Sequence, residues 1–308
     1  ARRVAARANV ELQQQGVQAS RARLSAEVRA VFTQLYALDR EHDALTQGDA
    51  LLVALLGGVT GRFVSGGIDQ ESLARAEFER SRLKERLLDL RSEREVLTAR
   101  LNRLLARPED SPIPQLGVLP EVPLELTVVS DATLARSPEL RLRRAAVAAS
   151  VASEQSAQAD LSPNYQVGLA GGATTTGVPV FTFRFAMELP VWSSTKQEPM
   201  VRAARRASEA AQDEYHDEAL RLRGRLAELA AEFRRAQAQI ALYHDELLPR
   251  AELTLSAARN AYSVGRGDFS TIIEDYRAWL EVQSDLAQRY AERLRVWSEY
   301  RALLEDPR

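Results

Sequence analysis

Tyr262-Ser263-Val264-Gly265-Arg266-Gly267-Asp268-Phe269 reads as a sharp reversal between two helices. The apolar positions before it keep a helical period from about Glu198 to Tyr262, and those after it from Phe269 to about Leu304. Gly265 and Gly267 can supply the positive-φ backbone that such a reversal needs, because glycine has no Cβ to clash. Asp268 stands where an N-cap belongs, its carboxylate in reach of the free N–H groups of the returning helix. The same device stands earlier in the chain, at Phe63-Val64-Ser65-Gly66-Gly67-Ile68-Asp69. Phe63 aligns with Tyr262, Gly66 with Gly265 and Asp69 with Asp268.

The correspondence extends past the turns. At the same offset Leu87 aligns with Leu286, Glu93 with Glu292, and Leu104-Leu105 with Leu303-Leu304. Upstream, Arg3, Arg7 and Ala8 align with Arg202, Arg206 and Ala207. Glycine and aspartate coincide at turns often, but matched flanks without a gap do not arise that way. The chain reads as two copies of one long helical hairpin. The fold class is mainly α: tandem antiparallel coiled-coil hairpins joined by a short β-hairpin.

Composition agrees. Of 308 residues, 27% are charged and 6% aromatic, with alanine, leucine, arginine and glutamate prominent. That balance marks long helices rather than a thick core. A net charge of −2 gives no reason to expect nucleic acid as a partner. The many arginines are matched by acids at helical spacing, as on a solvated, ion-paired face. There is no cysteine, hence no disulfide or thiolate metal site within these residues. No run of 18 apolar residues offers a transmembrane helix. The chain opens on helix without Met or a leader, so a fragment or processed chain is expected.

In order, residues 1–107 are expected to form the first helical hairpin. Val17, Leu24, Val28, Val31, Leu35 and Leu38 mark the outgoing helix, and Gly57-Gly58 weaken its end. In the returning helix, about 69–106, Leu83, Leu87, Leu90, Leu97, Leu101 and Leu104 alternate by fours and threes, a coiled-coil seam. Arg94 is its one polar interruption. Residues 108–130 hold Pro108, Pro112, Pro114, Pro120 and Pro123 and read as an irregular connector, with one short extended piece expected at Leu124–Val129. A helix over 131–160 starts at Asp131 or at Ser137-Pro138-Glu139.

At 161–192 the period becomes two. Tyr165, Val167 and Leu169 alternate with Gln166, Gly168 and Ala170; after Gly171–Gly177, Phe181, Phe183, Phe185 and Met187 alternate with Thr182, Arg184, Ala186 and Glu188. Each strand has about nine residues, enough to cross a bilayer at a tilt. Two readings stand at this point. One is a soluble hairpin capping the helices, its apolar face on a core. The other is a stave of a membrane barrel, which must be closed by several chains because a lone hairpin in lipid leaves its edges unpaired. Pro190 ends the second strand, and residues 193–308 form the second helical hairpin, one helix from near Lys196 to Tyr262 and its return.

Lengths add a constraint. At 1.5 Å per residue the helix over 197–262 spans roughly 100 Å, and those over 69–106 and 131–160 about 57 and 45 Å. The two shorter pieces, end to end, match the long one. The helix over 269–304 has no such partner, so the repeat predicts a further helix and a first strand pair before residue 1.

This order of elements resembles the TolC-like outer-membrane efflux channels over essentially the whole chain. Tyr262-Ser263-Val264-Gly265 looks like that family's periplasmic-tip turn, and Phe63 to Ile68 like its counterpart in the first repeat. Ser137-Pro138-Glu139-Leu140 resembles the start of its second repeat, and Glu188-Leu189-Pro190-Val191-Trp192 its strand-to-helix exit. The resemblance implies a homotrimer in the outer membrane and periplasm of a Gram-negative bacterium. In it, strands form a lipid-embedded barrel and helices a periplasmic tunnel; with one hairpin per chain a trimer would supply six strands, too few to close around an open channel, so the chain alone is expected to assemble differently from the intact protein. A periplasmic adaptor and an inner-membrane transporter dock at the tips, conduction is passive, and there is no cofactor and no enzymatic step. It places Phe181, Phe183, Phe185 and Met187 against lipid. It places Ser65, Gly66, Gly67, Ile68, Val264, Gly265, Arg266 and Gly267 at the docking tips. The aperture's acidic positions fall at Thr271 and Glu274, with Asp275 adjacent; Thr271 departs from the acidic pattern. The position of the family's latch arginine is Gly267 here, with Arg266 as a substitute. Three Glu274 carboxylates in a ring would attract cations and raise one another's pKa. The plainer alternative for Glu274 and Asp275 is to face water or pair with Arg277. The alternative for the whole chain is a soluble periplasmic adaptor, scaffold or barrel-less relative.

No other constellation carries chemistry. His42, His216 and His244 do not cluster; the Tyr-His-Asp-Glu copies at 215–218 and 243–246 lie roughly 42 Å apart along one helix, too far to share an ion. Thr174-Thr175-Thr176 lacks a nearby base. No phosphate loop is present, and Trp279 and Trp297 fall near the helical seam as packing residues.

Overall fold

The structure, a computed structural model, describes residues 1–64, 70–116, 122–123, 125–126, 130–173, 177, 179–190 and 193–304, with only the backbone of 58–64. It is mainly helical, as expected. α1 (Arg2–Val64) runs out and α2 (Gln70–Leu104) returns. After the connector come α3 (Asp131–Leu134) and α4 (Pro138–Ala159), then β1 (Asn164–Ala173) and β2 (Pro179–Glu188). α5 (Glu198–Leu242) and α6 (Leu248–Ser263) run out again, and α7 (Phe269–Leu304) returns.

Two expected helices are interrupted, each by a proline. The segment 131–160 is two helices because Ser137 precedes Pro138. Its backbone lies at φ −53°, ψ 130°, where the proline ring excludes the helical conformation. Both anticipated starts are therefore used: Ser130 caps α3 through the Thr133 N–H, and Pro138 opens α4. The helix over 196–262 is broken by a π-helical turn, Tyr243–Leu247, just before Pro249. Pro249 has no N–H to give, and its ring displaces the carbonyl four residues back, so the backbone widens by one residue to pass it. A second π-helical turn, Ser193–Gln197, leads into α5.

Contacts divide the chain into two units that cut across the long helices. One comprises Ala1–Ala22, Val129–Gly224 and Leu303–Arg308; the other comprises Arg23–Val128 and Arg225–Ala302. In the second unit the core runs along the helices in layers. Nearest the 264–268 turn, Leu52 and Leu55 of α1, Ala76 of α2 and Leu255 of α6 surround Phe269, Ile272, Ile273, Tyr276 and Trp279 of α7. Gly48 lets α7 approach: a Cβ there would lie 2.9 Å from Leu280 Cδ1 and 3.0 Å from the Tyr276 hydroxyl. A further layer joins Leu45, Leu83 and Leu90. Another joins Val31, Leu35 and Leu101 with Ile113 and Leu116 of the connector. Each fully buried leucine contributes about 1.5–3 kcal/mol.

The seam of α2 has two polar positions, and both are tied down. Arg94 donates through Nε to Asp39 Oδ1 at 2.7 Å, and through its Nη2 to the carbonyls of Ile113 and Pro114. The Leu116 N–H donates to the other Asp39 oxygen at 2.8 Å, and Arg40 donates to the Leu116 carbonyl. Asn102, fully buried, donates to the carbonyls of Glu109 and Ser111. The proline-rich connector cannot form a backbone ladder, so these side chains satisfy its carbonyls. The extended piece expected at Leu124–Val129 falls mostly outside the described residues. Glu79 is the second polar seam position: it is buried and accepts from Arg277 of α7.

β1 and β2 pair antiparallel, with Tyr165 opposite Met187, Val167 opposite Phe185, Leu169 opposite Phe183 and Gly171 opposite Phe181. Gly177 in the connecting loop has φ +79°.

Candidate functional site

The 264–268 turn is built as its sequence implies, with one refinement. α6 ends in a paired-hydrogen-bond C-cap: the Arg266 N–H donates to Ala261 O at 2.9 Å and the Gly265 N–H to Tyr262 O at 3.1 Å. That motif requires a left-handed residue, and Gly265 supplies it at φ +77°. Gly267 does not share that conformation. It is needed for space: a Cβ there would sit 2.9 Å from the Tyr262 backbone nitrogen and 3.2 Å from Ala261. Asp268 caps α7, accepting from the Ser270 N–H at 3.3 Å and the Ser270 hydroxyl at 2.6 Å. These bonds hold its carboxyl below the usual aspartate value, so the charged cap persists to lower pH than a free aspartate and is lost as pH falls through that lowered value. Tyr262 and Phe269 meet across the turn with ring centroids 5.7 Å apart.

Gly267→Ala is therefore expected to destabilise by about 1–3 kcal/mol, since the clash is with backbone that cannot swing away. Gly57→Ala, in α1 where a Cβ would meet nothing within 4 Å, should be stabilising by about 0.5–1 kcal/mol. Urea unfolding midpoints of the two variants check this; equal shifts would refute the packing account of Gly267.

The same turn sets which face of α7 is exposed. With Phe269, Ile272, Ile273, Tyr276 and Trp279 buried, Thr271, Glu274, Ala278 and Glu281 fall on the opposite, exposed stripe, and Asp275 is half-buried beside it. The alternative pairing of Glu274 and Asp275 with Arg277 is not what forms: Arg277 turns to Glu79 of α2. That pairing raises the Arg277 pKa, chiefly through the hydrogen bond to Glu79. Among the described residues Glu274 and Asp275 form no ion pair. Burial pushes the Tyr276 phenol well above its ordinary value. Arg266, Val264, Gly265 and Gly267 are exposed on the turn; Ser65, Gly66, Gly67 and Ile68 lie outside the described residues.

The strand pair is exposed throughout. Phe181 and Leu169 keep 77% and 78% of their surface in solvent, and Phe183, Phe185, Met187, Tyr165 and Val167 are likewise exposed. Tyr165 stacks on Phe185, ring centroids 6.2 Å apart, so the apolar side chains touch one another and no core. Among the described residues this face meets no core, whereas a soluble cap would rest on one. The contiguous face is unlike the scattered apolar surface of monomeric proteins.

Glu79 and the partner of Arg94 were not legible in the sequence as site-shaping residues. Glu79 left one signal, a charged side chain in phase with the α2 leucines; Asp39, on α1, left none. His216 and His244 are exposed, and His244 meets only Asp245 at 2.7 Å. Trp279 packs in the core, and Trp297 packs beside Leu294 under Arg301. Among the described residues no group of three or more His, Cys, Asp or Glu converges, and no helix is long and apolar enough to cross a membrane.

No family model matches the sequence, and no curated protein matches it. Solved structures do. The chain is similar to the outer-membrane channel OprN, with TM-score 0.85 and 17% identity over 98% of this chain and 70% of that one. It is similar to the outer membrane protein VceC of Vibrio cholerae, with TM-score 0.82 and 17% identity over 97% and 74%. It also resembles the open state of the MtrE outer membrane channel of Neisseria gonorrhoeae, with TM-score 0.72 and 17% identity over 96% and 71%. At this identity the likeness is one of fold, and the fold is that of the TolC-like channels.

Proposed function

We propose that the chain is a subunit of a trimeric outer-membrane channel that conducts substrates passively from an inner-membrane pump to the exterior. The observation that carries this is the strand pair. It has ten residues per strand, one face wholly apolar and exposed, on a helical scaffold with the fold of outer-membrane channels. Lipid is the environment in which such a face costs nothing. In lipid every backbone group needs an internal partner, so both edges of the hairpin must pair with further strands in a closed barrel. One hairpin from each of three subunits is too few for an open barrel, so further strands of the full-length protein, repeated in its copies around an axis, supply that closure.

On this reading Phe181, Phe183, Phe185 and Met187 face lipid. The turn at Val264–Gly267, with Ser65–Ile68 of the first repeat, is the surface offered to a periplasmic adaptor. Thr271, Glu274 and Asp275, with Arg266 nearby, line the aperture. Glu274 is exposed and forms no ion pair among the described residues, which supports its place in a charged ring. The chain then belongs to the outer membrane and periplasm of a Gram-negative bacterium, has no catalytic step and draws its energy from the pump. The competing adaptor reading has no support from the strands, whose apolar face meets no core.

The test is the native mass of the full-length protein extracted in detergent from membrane fractions. A trimer in the outer-membrane fraction is expected. A monomer or dimer in the soluble fraction would refute the channel.

A further inference from the structure

The polar face of the strand pair carries one charge at its middle. Strand alternation puts Gln166, Gly168, Ala170 and Gly172 of β1 and Val180, Thr182, Arg184, Ala186 and Glu188 of β2 on the face opposite the phenylalanines. Arg184 lies directly across from Gly168, which offers no side chain to cover it; a Cβ built there would be in ordinary contact with Arg184 Cβ at 3.8 Å. Its diagonal neighbours Gln166 and Ala170, and Thr182 and Ala186 on its own strand, are all neutral. Glu188 on the same face is four residues along β2, about 13 Å at strand rise, farther than the screening length of physiological salt. Among the described residues Arg184 is exposed and has no hydrogen-bond or ion-pair partner.

An arginine on an exposed surface usually finds an acid, as most arginines of this chain's helices do. The placement of Arg184 differs: every position in reach is neutral or lacks a side chain. If the phenylalanine face meets lipid, this face lines the water-filled interior, where side chains set ionic preference.

We propose that Arg184 is a selectivity residue of the conduit: symmetry-related copies form a ring of positive charge in the barrel that favours anionic solutes. This rests on the channel reading above. A ring of guanidinium groups lowers the barrier for anions and raises it for cations. An arginine holds its charge at every physiological pH. Its substrate class is therefore small anions and molecules carrying carboxylate, sulfonate or phosphate groups. The preference is set by the strands and is separate from any contribution of Glu274.

The experiment is reversal-potential measurement in planar bilayers across a KCl gradient, with the full-length protein. Arg184→Glu is expected to shift the permeability ratio several-fold from Cl⁻ toward K⁺, Arg184→Gln about half as far, and Arg184→Lys to stay near the wild type. Insertion frequency should not change, because the lipid face is untouched. A conducting Arg184→Glu protein with the wild-type reversal potential overturns the assignment and leaves the channel standing. A wild-type protein that neither inserts nor conducts overturns the channel, and the ring with it.

Discussion

Asp39→Ala is expected to destabilise the protein by about 2–4 kcal/mol, the loss of two hydrogen bonds to a buried carboxylate; Arg94 keeps 29% of its side-chain surface in solvent, so the cost falls below that of breaking a fully buried ion pair. Asp39 is 2% exposed and uses both oxygens: one takes Arg94 at 2.7 Å, the other the Leu116 N–H at 2.8 Å. Without it, Arg94 stays among apolar seam residues with its charge uncompensated, and the connector loses an anchor at Leu116. A domain of about 150–250 residues loses roughly 2–4 °C per kcal/mol, so a fall on the order of 10 °C in the thermal midpoint follows. Arg94→Ala alone should also be costly. The double change to Leu at both positions should recover much of the loss, since replacing a buried pair with apolar groups is often neutral. Circular-dichroism melts of the wild type, Asp39→Ala, Arg94→Ala and the double Ala variant form the cycle, and the double-Leu protein is measured beside them. Additive effects would show that the two residues do not act as a pair. Faster amide exchange over 108–116 in Asp39→Ala would report the freed connector.

The second large effect is expected on the strands. Phe183→Arg places a charge at mid-strand on the apolar face, opposite Leu169. An arginine at the middle of a lipid-facing strand costs about 2–4 kcal/mol, and a trimer bears that cost in every copy. Recovery of the protein in the outer-membrane fraction should collapse, while the helical melting transition of purified protein stays in place, because Phe183 touches no helix core. Thr182→Arg, one residue earlier and on the polar face, is the matched control and should assemble normally. If Phe183→Arg reaches the outer membrane as well as Thr182→Arg does, the face does not meet lipid and the barrel proposal fails. The pair of substitutions thus separates burial in lipid from a general intolerance of charge in the hairpin.

Elements and turns were legible because their causes are local. The Val264–Asp268 reversal needs a left-handed residue, a cap and room for the chain to double back, and the sequence supplies Gly265, Asp268 and Gly267 at those positions. The exact division of labour between the glycines was not legible: which one takes positive φ depends on the hydrogen-bond pattern at the end of α6. Alternation of period two marked the two strands and the apolar face of each; their register, with Tyr165 opposite Met187, came from the structure. The prolines at 138 and 249 were visible in the sequence; the first breaks the helix by excluding the helical conformation at Ser137, and the second, through its ring and missing N–H, interrupts a helix expected to run unbroken to Tyr262.

The sequence by itself determined the doubled helical hairpin, the strand pair and the face of each strand that is apolar, all consequences of periodicity and backbone chemistry within a few residues. Only the tertiary structure decided which parts of those patterns are used. On α1, Val17 and Leu24 continue the stripe of Val31 and Leu52, yet the first two are exposed and the last two fully buried. Likewise the charged residues in the α2 seam are supported by Asp39 and Arg277, and Glu274 is left facing solvent because Arg277 is occupied by Glu79. Helical period states which side chains share a face. It carries no information on what lies opposite, because those partners come from segments tens to hundreds of residues away, brought together only when the helices pack.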